Sequence, residues 1–430
     1  MNLWKLLKNS DIPVTSLLEA LANRTAAQLK DALYLARARK KASDFTRKRK
    51  MPFEKLMIFI LSNQKCSSNT ALRRFFKGLG ETTTMKQQSY CDARAKVSPE
   101  AIEELYRPTV APMVQRCRKK WNGYRVMAVD GTTVQLPTDK KLGEIFGTLG
   151  KNGSAPCARV SILLDILNDI VLDAAIEPLS YDERTLAGWH INRCMDIEPN
   201  SKKLFIFDRG YPSFDLIEKL EDEGYYYLMR VKTNWNSGID AMKAAEGQVC
   251  LTQGHKHIKV RVLKFLLSSG ETEVLITNIP DKRLGVKAFK ELYFLRWPIE
   301  TKYNTVKNKL ALEMFSARTQ DGIRQDFWAT MYLANLTTAA IYDAQPGIDA
   351  TRVGHGNKYR YRANINEAIG ILKDRLILTL TLDDAHERVA LFSDITQEIM
   401  AYVSPLRPGR SSPRLPARVA NFYHNQRLNS

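Results

Sequence analysis

Two short apolar runs, each closed by an aspartate with a glycine just beyond it, constrain this chain more than anything else in it. The first is Tyr124-Arg-Val-Met-Ala-Val-Asp130-Gly131-Thr132-Thr133, and the second is Lys203-Leu-Phe-Ile-Phe-Asp208-Arg209-Gly210-Tyr211. Runs of this length, rich in aliphatic and aromatic residues and stopped by Gly or Pro, read as buried strands. Each delivers a carboxylate at or near the end of a central strand. A single Asp after a strand usually makes a turn or caps a helix, so the weight falls on what accompanies the pair.

That companion is Tyr293-Phe-Leu-Arg296-Trp-Pro298-Ile-Glu300-Thr-Lys302-Tyr303-Asn-Thr-Val-Lys307. Tyr293, Arg296, Glu300 and Lys307 recur at spacings that keep them near one face of a helix. Pro298 lacks an N–H and suits a first helical turn. The spacing therefore predicts a helix ending near Arg296, a kink, and a second helix opening at Pro298. Glu300 then sits in a first turn, beside the positive end of the helix dipole. Arg296, Lys302, Lys307 and Tyr303 are expected to ring it, an arrangement suited to a metal on the carboxylate and phosphate oxygens on the cations. An amphipathic helix with a solvated charged face has the same local pattern.

Taken together, these motifs resemble those of the IS4-type DDE transposases. The resemblance rests on Tyr293, Arg296, Glu300 and Lys307, on Asp130-Gly131-Thr132, and on Asp208-Arg209-Gly210-Tyr211, with Asp182-Glu183-Arg184 similar to the segment between the two aspartates. It runs from about Met51 onward and is strongest between Tyr124 and Lys307. The resemblance implies a ribonuclease H-like catalytic core. It also implies Asp130, Asp208 and Glu300 as catalytic residues and metal ligands, with Mg²⁺, or Mn²⁺ in its place, as the cofactor.

Charge points the same way. The 430 residues carry 65 Lys and Arg against 46 Asp and Glu, a net charge of +19. Such an excess calls for a polyanionic partner, and its spread along the chain favours a nucleic-acid footprint over one membrane-binding helix. The cysteines at 66, 91, 117, 157, 194 and 250 are dispersed, with no Cys-x2-Cys pair, and read as reduced core thiols. No apolar run of signal-peptide length precedes Asp11, and the longest uncharged stretch, Phe327 to Tyr342, is too short to span a bilayer. The expected location is cytoplasmic, on the nucleoid when bound to DNA, with no membrane partner.

In chain order, the patterning predicts an α/β protein in three parts. Residues 1–122 read as a helical DNA-binding domain. Ser16 to Lys40 carries Leu17, Leu18, Leu21, Leu29 and Leu33 at helical spacing and leads into a run from Arg37 to Lys50 with eight cations and one anion. Lys48 in that run is a candidate phosphate contact. A helix from Ser68, a turn at Gly78 and Gly80, and a helix through Gln87, Gln88, Ser89 and Arg94 outline a helix-turn-helix, in which the Gln, Ser and Arg side chains can read base edges. Residues 123–343 read as a ribonuclease H-like mixed-sheet core. Its strands are expected at Tyr124–Asp130, Thr132–Leu136, from Val160, back through Ile170–Ile176, at Leu204–Asp208 and at Tyr225–Val231. A β-rich insertion covers about 231–283, with two strands expected, Ile258–Phe265 and Glu273–Thr277, about a turn at Ser268-Ser269-Gly270. Residues 344–430 read as a helical C-terminal region with a basic tail, Arg407 to Arg414.

For the chemistry, two divalent ions about 4 Å apart can activate a nucleophile and stabilise a leaving oxygen in an in-line attack on a phosphodiester. The resemblance places Asp130 as the bridge, Asp208 on one ion and Glu300 on the other, with Tyr293, Arg296 and Lys307 on phosphates. Arg209 is expected to orient Asp208 or touch DNA. Trp235, early in the insertion, is a candidate for stacking on a flipped base, or else a core side chain. Asp165, Asp173, Glu177 and Asp182 read as turn or cap residues. No Ser/His/Asp set, P-loop or dinucleotide fingerprint is legible. The expected partners are double-stranded DNA, as element ends and target, and a second copy of the chain in a synaptic complex on DNA. A DNA-binding protein or host nuclease of transposase descent is the alternative.

Overall fold

A computed structural model of the chain describes residues 16–407 other than 48, 83, 151, 152, 154, 268, 269, 353–355 and 357. Lys48, the stretch up to Asp11 and the tail beyond Arg407 lie outside the described residues. The described chain falls into two compact units, one built from 16–113 with 332–407 and the other from 114–331.

The first unit is helical. Helix α1 (Leu17–Leu29) is capped by Ser16, whose hydroxyl accepts the Glu19 N–H at 3.0 Å. The single helix expected up to Lys40 does not form. Asp31 caps a new helix, α2 (Ala32–Ala38), accepting the Leu33 N–H at 2.9 Å, and the restarted phase leaves Leu33 70% exposed rather than in the core. Helix α3 (Phe53–Leu61) is buried along its length. Helix α4 (Ser68–Gly78) buries Leu72, Phe75 and Phe76 and presents Arg73, Arg74 and Lys77 to solvent. After a turn at Gly80 comes α5 (Gln87–Arg94), with Gln87 and Gln88 exposed. Arg94 points the other way, buried against the Tyr90 hydroxyl at 3.2 Å, so it is withdrawn from any base edge. Helix α6 (Glu100–Arg116) follows. Helices Ile365–Thr381 and Ala385–Ala401 pack on each other and on α1.

The second unit is organised by one nine-stranded sheet. Strand β1 (Tyr124–Gln135) is followed by α7 (Lys140–Phe146), the short β2 (Thr148–Leu149), β3 (Ala155–Asp165) and β4 (Ile170–Glu177). Then come α8 (Glu183–Arg193), β5 (Lys202–Phe207), α9 (Phe214–Asp222) and β6 (Tyr226–Val231). The middle of the sheet runs β4-β3-β1-β5-β6, with β1 antiparallel to β3 and parallel to β5. An antiparallel trio extended by parallel strands is the ribonuclease H-like order, so the fold class is as the sequence led us to expect.

Two details differ from the sequence reading. Asp130 does not end a strand: β1 continues through Gly131, which pairs with Ser161, and through Thr132 to Gln135. Glycine interrupted the apolar pattern without interrupting the hydrogen-bond ladder. The insertion holds three strands rather than two. After α10 (Ser237–Ala241), β7 (Glu246–Gln253), β8 (Lys256–Leu266) and β9 (Thr272–Thr277) extend the main sheet outward from β6. β7 was missed because its side chains are largely exposed and give no apolar period.

The centre of the sheet is dry. Val126, Met127 and Ala128 of β1 and Leu204 to Phe207 of β5 are fully buried, as expected for strands covered on both faces. Arg125 is buried among them. Its guanidinium pairs with Asp165, donates to Glu198 at 2.6 Å and to the carbonyls of Val114 and Cys117 at 3.0 and 3.3 Å. A buried guanidinium requires such full satisfaction, and here it fixes the start of β1.

Candidate active site

Burial along β1 stops at one point. Tyr124 to Val129 are buried and Asp130 to Thr133 are not, so the strand carries Asp130 out of the core at its open end. The parallel neighbour does the same. Ala128 pairs with Ile206; two residues further along β1 stands Asp130, and two residues beyond Ile206, just past the end of β5, stands Asp208. Side chains alternate faces with a period of two, and adjacent strands lie about 4.8 Å apart, so the pairing brings the two acids side by side. Asp208 closes a tight turn by accepting the Gly210 N–H at 2.8 Å.

Glu300 comes from beyond the sheet. Helix α11 (Val286–Phe294) ends, and α12 (Pro298–Asn304) opens with Pro298 in its first turn, as the spacing predicts. Arg296, in the break, donates to Glu300 Oε1 at 2.6 Å and its other terminal nitrogen stands 4.0 Å from Asp130 Oδ2. One guanidinium thus links the acid of the helix to the acid of the strand. The Tyr303 hydroxyl donates to the Asp130 carbonyl at 2.6 Å. Burial, and then the Asp130 charge, hold that phenol well above its ordinary value, so it remains a donor. A π-helix (Thr305–Lys309) follows, and Lys307 donates to Thr132 Oγ1 at 3.1 Å and the Thr133 carbonyl at 2.7 Å. The helix is therefore docked on the stretch of β1 that carries Asp130.

Lys302 does not join the expected ring around Glu300. It is buried, donating to the Asp169 carbonyl at 2.8 Å and pairing with its carboxylate at 3.0 Å. Tyr293 is half-buried. Burial pushes its phenol up to about 12, and the neighbouring charges of Arg296, Glu273, Arg230 and Asp208 act on it as well. Arg209 is exposed and Trp235 half-buried. Of the acids read as turn or cap residues, Asp182 caps α8, accepting the Thr185 N–H at 2.7 Å. The other three are paired: Asp165 with Arg125, Asp173 with His190 at 2.7 Å, and Glu177 with both terminal nitrogens of Arg324 at 3.0 and 2.8 Å.

A fully buried Ser/His/Asp chain does exist. His190 also meets Ser161 Oγ at 3.0 Å, and that hydroxyl lies 3.4 Å from the Asp130 carbonyl. Sealed from solvent, it braces β1, β3, β4 and α8 rather than attacking a substrate.

Sequence reasoning assigned no role to Glu183, the first residue of α8. A methyl added at Gly131 would lie 2.8 Å from Glu183 Oε1, so this carboxylate rests on β1 at Gly131, on the face opposite the Asp130 side chain. Arg159 holds it at 3.2 Å, and the next residue, Arg184, donates to the Gly210 carbonyl at 3.2 Å. Tyr211, next after Gly210, is fully buried, its hydroxyl without a hydrogen-bond partner among the described residues. Burial, then Glu183, Asp130 and Asp208, push that phenol far up.

The electrostatics of Asp130 follow from this crowding. Burial raises its carboxyl from 3.8 to about 6; Arg296 and the Gly131 N–H pull it down, while Asp208 and Glu183 push it up. Among the described residues no three His, Cys, Asp or Glu side chains converge closely enough to cage a metal. Mg²⁺ commonly takes only one or two carboxylates, with waters and substrate phosphates completing its shell. Side-by-side aspartates that repel one another fit that demand, as oxygen donors whose repulsion a divalent cation would relieve.

Sheet order, one acid on β1, a second just past β5 and a docked helical acid define a ribonuclease H-like core with an acidic centre. The chain belongs to the transposase DDE domain family, whose family model matches residues 121–336, half of its length. No curated protein matches it. Among solved structures, the cryo-EM structure of a piggyBac transposase synaptic complex with hairpin DNA is similar at 9% identity and a TM-score of 0.45, over 95% of this chain and 88% of that one. Among the described residues no helix is long and apolar enough to cross a membrane.

Proposed function

We propose that this protein is the transposase of an IS4-type insertion sequence, cutting and joining double-stranded DNA at the element's ends. The observation that carries the reading is the link from Glu300 through Arg296 to Asp130, with Asp208 just past the end of the adjacent strand. Mg²⁺, or Mn²⁺ in its place, would be held by Asp130 and Asp208 with Glu300 completing the site, and would supply activation of the attacking hydroxyl and stabilisation of the leaving oxygen.

The chain's own residues do the rest. Arg296 is poised to leave Glu300 for a phosphate oxygen, where its fork fits two acceptors. Tyr293 stays protonated and can donate to the same phosphate. Lys307 keeps the helix seated on β1. Arg209, exposed and next to Asp208 in the chain, would contact the DNA backbone. Residues 1–122 supply end recognition through Gln87 and Gln88, and Lys48 adds non-specific attraction. Residues 123–343 cut, and 344–430 contribute to pairing two protomers on two DNA ends. The protein acts where the DNA is, in the cytoplasm on the nucleoid.

A metal-dependent nicking assay on plasmid carrying the DNA flanking its own gene tests this. Cleavage at the ends in Mg²⁺, absent in Asp130→Asn, Asp208→Asn and Glu300→Gln while DNA binding survives, is the expected result. Binding without cutting by wild type points to a descendant that no longer cuts, and cutting without preference for the ends points to a host nuclease.

A further inference from the structure

The row of residues that carries the two aspartates continues onto a third strand. Ala128 of β1 pairs with Ile206 of β5, and Ile206 pairs with Leu228 of β6. Two residues beyond these three stand Asp130, Asp208 and Arg230. Side chains alternate faces with a period of two, so Arg230 shares a face with Asp130, its backbone roughly 10 Å away at two strand spacings. Asp208, just past the end of β5, lies between them. The Tyr293 phenol, governed first by burial, also feels Arg296, Glu273, Arg230 and Asp208, which places these side chains around one ring.

Arg230 is also held. Its Nε stands 3.3 Å from Glu273 Oε2 on β9. Arg230 pairs across the ladder with Leu275, so Glu273, two places along, is its diagonal neighbour on the same face. Glu273 is buried, whereas the Arg230 side chain is 29% exposed. Burial pushes the Glu273 carboxyl up, against the pull of Arg230, Lys290 and Arg296. Burying a carboxylate is costly unless a cation meets it, and here the cation is met at its inner nitrogen. A guanidinium anchored through Nε keeps its two terminal nitrogens as a fork, the geometry that suits phosphate oxygens.

We infer that Arg230 binds the DNA phosphate next to the scissile one, on the Asp208 side of the centre, and that Glu273 is a positioning residue that holds the guanidinium for it. The inference rests on the proposed reading of the site. It gives the β-insertion a part in the chemistry, because β9 supplies the anchor.

The test is single-turnover cleavage in Mg²⁺ by the full chain, on duplexes carrying the DNA flanking its own gene. One phosphate at a time near the cut is replaced by an uncharged methylphosphonate. In wild type, neutralising the phosphate next to the scissile one should slow cleavage by about tenfold or more, the scale of one charge-assisted contact. Arg230→Ala should slow cleavage of the unmodified duplex to a similar extent, and the same methylphosphonate should then cost nothing further. Glu273→Gln should slow cleavage less and blunt the effect of that one methylphosphonate. If Arg230→Ala melts well below wild type, Arg230→Lys, which keeps a charge against Glu273 and loses the fork, takes its place in the comparison. A pair that merely ties β6 to β9 would leave every methylphosphonate effect intact. If a folded Arg230 variant cuts like wild type, or its loss adds to that of the methylphosphonate at every position, Arg230 is no phosphate ligand and this inference falls alone. If Glu273→Gln matches wild type in rate and in methylphosphonate profile, Glu273 is not the anchor. If Asp130→Asn and Asp208→Asn cut like wild type, or wild type does not cut, the reading of the site beneath falls too.

Discussion

Asp130→Asn should make the metal-free protein more stable. The Asp130 carboxyl is raised from 3.8 to about 6, and its side chain is 21% exposed. A carboxylate with a raised folded pKa binds its proton more tightly folded than unfolded. Its ionisation therefore costs nothing below the unfolded value; the cost grows between about pH 4 and pH 6 and is fully present at neutral pH. The rise from 3.8 to about 6 corresponds to ~3 kcal/mol as an upper figure. Asparagine keeps the shape and an oxygen for the Gly131 N–H, which now reaches Asp130 Oδ1 at 3.0 Å. For a unit of this size each kcal/mol is roughly 2–4 °C in melting temperature. Thermal unfolding in chelator should thus show Asp130→Asn melting up to about 10 °C above wild type near neutral pH, with the gap closing toward about pH 4. Mg²⁺ should raise the wild type and leave the variant unmoved. A folded Asp130→Asn no more stable than wild type at neutral pH would show that Asp130 is not a strained acid, and the crowding argument would fail with it.

Arg296→Lys should impair cleavage more than DNA binding, because an ammonium cannot hold Glu300 and a phosphate as a fork can; equal cleavage rates at saturating DNA would contradict this. Gln87→Ala with Gln88→Ala should relax preference for the element ends, whereas Lys48→Ala should weaken all sequences alike and flatten the salt dependence; gel shifts against end and random duplexes decide it. Trp235→Ala should spare the first nick and slow the following step if the indole stacks on a flipped base, worth about 1–3 kcal/mol; a variant that fails to fold returns the residue to the core. End-bearing duplexes should convert monomers to a pair holding two duplexes, since +19 on each copy opposes self-association until phosphates neutralise it; light scattering that finds a DNA-bound monomer cutting both ends together rules this out.

What the sequence revealed was what local period can encode. Asp130 and Asp208 stood out because each ends an apolar run, and the break before Glu300 because Pro298 suits only a first turn. Helix phase was legible until a polar residue reset it, as Asp31 does ahead of Leu33. Contacts made across the sheet left no local trace. Nothing near Glu183 announces that it will lie on Gly131, and nothing near Lys302 shows that Asp169 will claim it. Likewise Ser161, Asp173 and His190 come from two strands and a helix, so no window of sequence holds them together. Arg94 looked like a base reader by type, and only packing against Tyr90 withdrew it.

The π-helix at Thr305–Lys309 has a genetic consequence. Its Leu310 N–H reaches back five residues, to the Thr305 carbonyl at 2.9 Å, so this turn holds one residue more than an α-helical turn would. Such turns are rare and occur mostly as single-turn bulges, frequently at functional sites. Removing one residue between Thr305 and Lys307 would restore a regular helix and swing the lysine by about 100° around the axis, off Thr132 and Thr133. An in-frame deletion of three bases there would leave every acid of the centre in place and still unseat the helix that carries Glu300.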